Sequence, residues 1–340
     1  MEESLSYEAI TGNPSPVVHL GSNDYSFFIG KTILVTGAGG SIGSRVVNHL
    51  AKIPNVDILA LDRDENALHS LSLTISNTAL FQESSYILLD IRDKVGVERF
   101  FKESRPSIVI HCAALKHLSV LERFPREAVL TNVFGTKNLI ESAANHGVAT
   151  FLNVSTDKAV EPTSILGKTK RIAELLVIQA RNEGYDGFTN VRFGNVFNSK
   201  GSVIETFTHQ ILSNSPITLT DSSMSRYFMH IDEAAVLAIK SSIINAGPVH
   251  ILDMGRPVLL ADVIARIKLA LKSHGEVVLT GARQGEKLNE DLINTLENAS
   301  ATSDPKIRVL DSNQKGIKIS DDWHIQDDSS ALSFIAHYIA

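Results

Sequence analysis

The stretch that most constrains this chain runs Thr32-Ile-Leu-Val-Thr36, then Gly37-Ala-Gly-Gly40-Ser-Ile-Gly43, then Ser44-Arg-Val-Val-Asn-His-Leu50. The first part is a short apolar run of strand type, and the last carries helical apolar spacing. Between them the glycines specify one kind of turn. Gly37 can take the tight bend, Gly40 lets a pyrophosphate approach the backbone, and Gly43 lets helix and strand pack closely. The N–H groups at the helix start, with the helix dipole, favour negative charge. Gly37, Gly40, Ser41, Ile42 and Gly43 are therefore candidate ligands of a dinucleotide.

The same alternation continues. Val56–Leu61 is a second strand, followed by a helical stretch from about Asp64. Ser85–Leu89 and Ser107–His111 read as the third and fourth strands. A long helix is expected from Pro125 to about His146, a fifth strand at Thr150–Val154, and a second long helix from Gly167 to about Asn182. Thr189–Phe193 continues the pattern, and Val249–Asp253 returns to the same sheet. Strands alternating with helices imply right-handed crossovers and parallel pairing. Their nearly continuous apolar character implies helices on both faces. The expected fold is α/β: a Rossmann-type doubly wound parallel sheet with a smaller, discontinuous substrate domain. Residues 1–29 read as an N-terminal arm and residues 30–195 as the nucleotide-binding domain, with the returning strand near 247–255. Residues 196–246 and 256–340 are assigned to the substrate domain.

Acidic and small residues at the strand ends refine the cofactor. Asp62 ends the second strand, where a carboxylate can accept both adenosine ribose hydroxyls; this favours NAD over NADP. Arg63 offers a competing site for a 2′-phosphate. Asp90 and Ile91 follow the third strand, where an acid can meet the adenine amino group. Ala113 and Ala114 follow the fourth and keep side chains small where the dinucleotide passes the backbone.

Composition excludes several functions. The formal net charge of −6 gives no basic field, so nucleic acid is not an expected partner. The one cysteine, Cys112, cannot form a disulfide within the chain and reads as a small buried hydrophobe. No apolar stretch has transmembrane length and the N-terminus lacks a signal-peptide pattern, so a cytoplasmic protein without a membrane segment is expected. The histidines show no metal-ligand spacing, and no metal is expected.

The second informative stretch is Asn153-Val-Ser-Thr-Asp-Lys158, at the end of the fifth strand. Ligands of open parallel sheets bind outside the carboxyl ends of the strands. Thr156, Asp157 and Lys158 there form a hydroxyl, carboxyl and amine set suited to acid–base work.

Taken together and in order, the motifs resemble the nucleotide-sugar 4,6-dehydratases of bacterial polysaccharide and glycan biosynthesis, which are extended short-chain dehydrogenase/reductase proteins. The matching pieces are residues 30–44, His-Cys-Ala-Ala-Leu-Lys-His (111–117), Thr-Asn-Val-Phe-Gly-Thr (131–136) and Ser-Thr-Asp-Lys-Ala-Val-Glu-Pro-Thr (155–163). Further on come Arg-Phe-Gly-Asn-Val (192–196), Gly-Ser-Val-Ile (201–204), Ser-Arg-Tyr-Phe-Met (225–229) and Gly-Glu-Lys-Leu (285–288). The chain looks most similar to the soluble part of the branch acting on UDP-N-acetylglucosamine.

The resemblance implies a hydro-lyase with NAD as cofactor and a UDP-sugar as substrate. C4 of the hexose is oxidised, water is lost across C5 and C6, and the hydride returns to C6. Lys158 would take the C5 proton and Asp157 would protonate the departing C6 hydroxyl. Thr156 would bond the C4 oxygen, and Lys170 would hold the nicotinamide ribose. Asn195, Arg226 and Arg283 match positions at the nucleotide-sugar phosphates, Lys116 one near the sugar, and Glu286 one at the nucleoside ribose. Asn132 is expected to support backbone. Where many relatives place a tyrosine base, one turn before Lys170, this chain has Leu166. Two rivals remain open: another nucleotide-sugar dehydratase or 4-epimerase, and an NAD-binding sensor without catalysis. The helices at 125–146 and 167–182 match a four-helix dimer interface common in the superfamily, so a homo-oligomer built on a dimer is expected. The nucleotide base and the C5 stereochemistry are left open.

Overall fold

In a computed structural model, residues 5–76, 85–311 and 315–339 are described. The first four residues of the expected arm lie outside them. A nine-stranded sheet forms the centre. Its strands in chain order are β1 (Thr32–Thr36), β2 (Asp57–Asp62), β3 (Tyr86–Leu88), β4 (Ile108–His111) and β5 (Thr150–Val154). They continue with β6 (Phe188–Arg192), β7 (Val249–Leu252), β8 (Asn298–Ala301) and β9 (Ile307–Asp311). Across the sheet the order is β8-β9-β7-β6-β5-β4-β1-β2-β3. Strands β1 to β7 pair in parallel; β9 runs antiparallel to β7, and β8 to β9.

Alternation along β1 shows why the sheet needs two covering layers. Leu34 packs into one apolar cluster, while Ile33 and Val35 pack into another. The first cluster holds Val97 and Phe101 of the helix Lys94–Ser104, Leu139 of Thr136–Asn145, and Ile172 and Leu176 of Ile165–Asn182. The second holds Val46, Val47 and Leu50 of Ser41–Leu50, with Ala234 and Leu237 of Ile231–Ile243. This is the Rossmann-type doubly wound sheet expected from the sequence. The chain reverses its strand order between β1 and β4, and a crevice opens there.

A third cluster is separate. It joins Tyr7 and Ile10 with Phe197, Ile204, Phe207, Ile217 and Phe228, and with Val258, Val263 and Ile267. Part of the expected arm is thus built into the structure: Tyr7–Thr11 is helical, and the Tyr7 hydroxyl donates to the Phe228 carbonyl at 2.8 Å. Phe28, on the helix Ser22–Phe28, is fully buried against the sheet.

The C-terminal part also departs from expectation. Strands β8 and β9 come from the segment assigned to the substrate domain, yet they extend the central sheet. The helix Asp328–Tyr338 crosses back to pack on Pro125–Ala128 and Ile165–Asn182. Phe334 meets Phe134 and Trp323, with ring centroids 5.4 and 5.1 Å away. The Arg126 amide donates to Asp328 at 3.0 Å, and Lys137 pairs with Asp321 at 2.7 Å. The helices Pro125–Ala128 and Ile165–Asn182 thus carry the chain's own C-terminal segment on part of their surface. The long helix expected over 125–146 is also divided: Pro125–Ala128 and Thr136–Asn145 are α-helical, and Val129–Gly135 between them is a π-helix.

Candidate active site

The glycine turn forms as a close-packed cradle. Gly37 has φ of +65°, and a Cβ there would stand 2.7 Å from the Ala113 backbone. A Cβ on Gly43 would lie 2.1 Å from the Gly37 carbonyl oxygen. Gly40 caps the helix Ser41–Leu50 without a side-chain bond to the first-turn N–H groups. That leaves these donors for an acceptor outside the chain. A cleft of about 300 Å³ opens beside the turn, lined among others by Gly37, Gly40, Asp62, Arg63, Asp90 and Ala114. Ile91 and Ala113 also line it. The free donors at the helix start fit the pyrophosphate of a dinucleotide.

Several cleft residues have duties within the protein. The Asp62 carboxylate accepts from the Gly39 amide at 2.9 Å and the Asp64 amide at 3.1 Å, so it fixes the turn it faces. Arg63 lies 3.7 Å from Asp90, and Arg92 binds the same carboxylate at 2.6 Å. Burial works against ionisation of Asp90, but the Arg92 hydrogen bonds more than offset it and its pKa is lowered. Ser41 accepts from the Lys200 amide at 3.0 Å, and Ile42 packs into the core beside the sheet. Cys112 lines the cleft as well; burial pushes its thiol up to about 12, which removes it as a nucleophile.

At the end of β5 the acid–base set is assembled. Thr156 caps the short 3-10 turn Asp157–Ala159. Its hydroxyl donates to Asp157 Oδ1 at 2.8 Å, and Lys158 Nζ donates to the same oxygen at 2.9 Å. Lys158 also reaches the Asn195 side-chain oxygen at 3.3 Å. Asp157 is wholly buried, and its Oδ2 has no hydrogen-bond partner among the described residues. A Cβ on Gly194 would come within 2.8 Å of that oxygen, so glycine keeps the space open. The structure thus brings Thr156, Asp157, Lys158 and Asn195 together.

Lys170 sits behind them on the helix Ile165–Asn182 and donates to the Val154 carbonyl at 2.7 Å. Burial pushes its pKa down to about 8 against the pull of Glu174. Leu166 is buried in the core one turn earlier and offers no proton-transfer group. Gly167 lets that helix approach, since a Cβ there would stand 2.2 Å from the Lys158 carbonyl oxygen. Asn132, in the π-helix, accepts from the Leu115 amide at 2.8 Å and donates to its carbonyl at 3.1 Å, which pins the loop after β4.

Beneath the site lies a buried ion cluster. Arg192 bonds Glu174 twice, at 2.8 Å each, and Glu297 at 2.9 and 3.1 Å. Burial would raise the pKa of Glu174, but Arg192 and Arg171 overcome it and hold it at about 2. The cluster ties β6, the helix Ile165–Asn182 and the segment leading to β8 into one block.

Asn195 apart, the expected substrate residues are held by other segments of the chain. Lys116 reaches Ser199 at 3.4 Å; its burial lowers its pKa against the pull of Glu205. Arg226 is buried and spends donors on the carbonyls of Ser225, Lys287 and Leu288 at 2.7 to 2.8 Å. It clamps the loop that carries Glu286, whose carboxylate lies 3.9 Å away. Pairing with a diphosphate would require Arg226 to exchange those bonds. Arg283 is exposed on the same loop.

Sequence reasoning missed Glu290. It is buried, its Oε2 has no partner among the described residues, and its Oε1 lies 3.8 Å from Lys158 Nζ. Its signal is weak, because Asn289-Glu290-Asp291 has no periodicity. Gly39 and Lys200 were also missed at the cleft; Gly39 was visible inside the glycine run. Among the described residues no group of three or more His, Cys, Asp and Glu could hold a metal, and no helix is long and apolar enough to cross a membrane.

Comparison with known proteins fits this geometry. The capsular polysaccharide biosynthesis protein CapD of Staphylococcus aureus is 42% identical over 274 residues, 78% of this chain. The chain spans only 46% of CapD's own length. A UDP-glucose 4-epimerase of Rickettsia rickettsii is 31% identical over 283 residues, covering 81% of each protein. The X-ray structure of Pen from Bacillus thuringiensis superposes with a TM-score of 0.74 at 32% identity, over 83% of this chain and 87% of that one. Residues 33–312 match the model of one family, described as polysaccharide biosynthesis protein, and the chain belongs to that family.

Proposed function

We propose that the chain is an NAD-dependent UDP-N-acetylglucosamine 4,6-dehydratase, releasing a UDP-4-keto-6-deoxy-N-acetylhexosamine. The observation that carries this reading is the pair of buried Asp157 and Lys158 at 2.9 Å, with one carboxylate oxygen left without a partner among the described residues. Elimination of water needs both an acid and a base, whereas epimerisation at C4 needs neither a base at C5 nor an acid at C6. Leu166 also speaks against a tyrosine-dependent epimerase.

Gly37, Gly40, Gly43 and the first turn of the helix Ser41–Leu50 would hold the pyrophosphate, and Asp62 the adenosine ribose. The Arg63–Asp90 pair occupies the cation that would otherwise meet a 2′-phosphate, which supports NAD over NADP. A bound NAD supplies the hydride acceptor for C4 of the sugar and the donor for C6. The residues then handle two proton circuits. Asp157 takes the C4 hydroxyl proton, in place of a tyrosine, and delivers it to the C6 hydroxyl, which leaves as water. Lys158, as the neutral amine, takes the C5 proton and returns a proton to C5. Thr156 and Asn195 hold Asp157 and Lys158 in register. Lys170 anchors the nicotinamide ribose. Lys116, Arg283 and Glu286 would line the nucleotide-sugar side, with Arg226 changing partners to reach the diphosphate.

Incubation with NAD and UDP-N-acetylglucosamine in deuterium oxide, followed by NMR, tests the reading. The expected product has lost water and carries deuterium at C5. A C4 epimer without loss of water would establish the epimerase instead. Intact NAD binding with inertness toward every nucleotide sugar would establish a sensor.

A further inference from the structure

Lys158 can act as a base only as a neutral amine, and its nearest neighbour, Asp157, accepts from it at 2.9 Å. Something must take the extra proton. The candidate is a buried carboxyl on the other side of the amine, contributed from far along the chain. Glu290 Oε1 lies 3.8 Å from Lys158 Nζ, and the Glu290 side chain is 4% exposed. Its second oxygen has no hydrogen-bond partner among the described residues.

Resting on the dehydratase reading above, we infer that Glu290 is the acceptor of the Lys158 ammonium proton and so sets the amine free to act as base. The step conserves charge. One N–H bond of the ammonium breaks, its electron pair stays on Nζ, and an O–H bond forms on Glu290. The cluster of Asp157, Lys158 and Glu290 carries one net negative charge before and after.

Physical chemistry favours the neutral pair. Two carboxylates sharing one ammonium in a dry site repel each other, so one of them keeps a proton. Asp157 already has two donors on Oδ1, from Thr156 and Lys158. Glu290 has no such donors, and a buried carboxyl without partners neutralises rather than remaining charged. The groups facing it are Lys158 and Asp157 on the catalytic turn, Arg226, and Lys287 on its own loop. Burial raises its pKa most, Lys158 lowers it, Asp157 raises it, and Arg226 and Lys287 lower it; the net direction is upward. Two of those cations are spoken for: Arg226 is held on loop carbonyls, and Lys287 donates to the Val160 carbonyl at 2.8 Å. The 3.8 Å gap suits a ligand-free site, since catalytic hydrogen bonds commonly tighten only around substrate.

Glu290 is a positioning and proton-holding residue, acting through Lys158. Two measurements on the full chain test it. The first needs no turnover: infrared spectra at neutral pH should show a protonated-carboxyl stretch in the wild type that is missing from Glu290→Gln. The second is the pH profile of kcat with UDP-N-acetylglucosamine. Glu290→Gln should lose about tenfold or more at neutral pH and regain activity as the pH rises, moving the ascending limb upward. Glu290→Asp should restore part of the neutral-pH rate. An unchanged carboxyl band, a loss of equal size at every pH, or an ascending limb that moves downward would each overturn the assignment. Should the wild type prove inert toward nucleotide sugars, the infrared band still decides where the proton sits, and the dehydratase reading alone fails.

Discussion

Lys158 donates to Asp157 Oδ1 across 2.9 Å, while Oδ2 of the same carboxylate is buried with no partner. The pair is therefore half satisfied, which leaves Oδ2 open to a donor from outside the chain. Replacing Lys158 by Met removes the amine at similar volume. Turnover should fall by roughly 10²- to 10⁴-fold, the range for loss of a positioned acid or base. Deuterium incorporation at C5 should fall in step, while NAD affinity stays within about twofold. A Lys158→Met variant that still exchanged C5 in deuterium oxide would place the base elsewhere.

The glycine cradle makes a contrast that can be measured without substrate. Ala at Gly43 would drive its Cβ to 2.1 Å from the Gly37 carbonyl, a backbone atom that must move. Overpacking of this kind costs about 1 to 3 kcal/mol, and it distorts the turn that meets the pyrophosphate. Gly43→Ala should lower the melting temperature and weaken NAD binding at least tenfold. Gly21→Ala is the control: its Cβ would meet only Asp24 Oδ2 at 3.6 Å, and both quantities should hold. Titration of each variant with NAD, alongside thermal unfolding, checks the pair.

Stability should depend on pH through His111. It bridges Thr36 at 2.7 Å and Thr136 at 2.9 Å, and burial, with Lys170 nearby, lowers its pKa from 6.5 to about 3. The folded value is depressed, so the unfolded chain binds the proton more readily between those values. The stabilising contribution is complete above pH 6.5 and is lost as the pH falls toward 3. Within that window the slope for one such group approaches about 1.4 kcal/mol per pH unit. Urea unfolding of wild type and His111→Gln at pH 7 and pH 4.5 should show a smaller pH-dependent loss in the variant. Equal losses would assign the acid sensitivity to other groups.

The parallel part of the sheet was legible because most of its strands carry an apolar run between turn residues, as in Ile33 to Val35 and Ile108 to Ile110. The glycine turn and the Asp157–Lys158 stretch were legible because their chemistry is local. What escaped depends on distant partners. Asn298–Ala301 has no apolar run, and becomes a strand only because Ile307–Asp311 offers an unpaired edge. Asn132 gives no sign of a π-helix in sequence; its side chain reaches two backbone groups of Leu115 and the Thr169 hydroxyl. Glu290 reads as a surface acid in a polar run, and only the loop held by Arg226 and Lys287 buries it beside Lys158. The dual bonding of Asp62 could not be read either, since it depends on how the turn folds back.

The C-terminal helix has a consequence for how this protein is divided into parts. Phe334, Trp323 and Tyr338 pack on the cluster that holds Ile172 and Leu176 of the helix Ile165–Asn182. The tail works as a built-in neighbour, shielding in the same molecule the hydrophobic flank of the helix that carries Lys170. Removing the last dozen residues would therefore uncover a sticky apolar patch on the helix that carries Lys170.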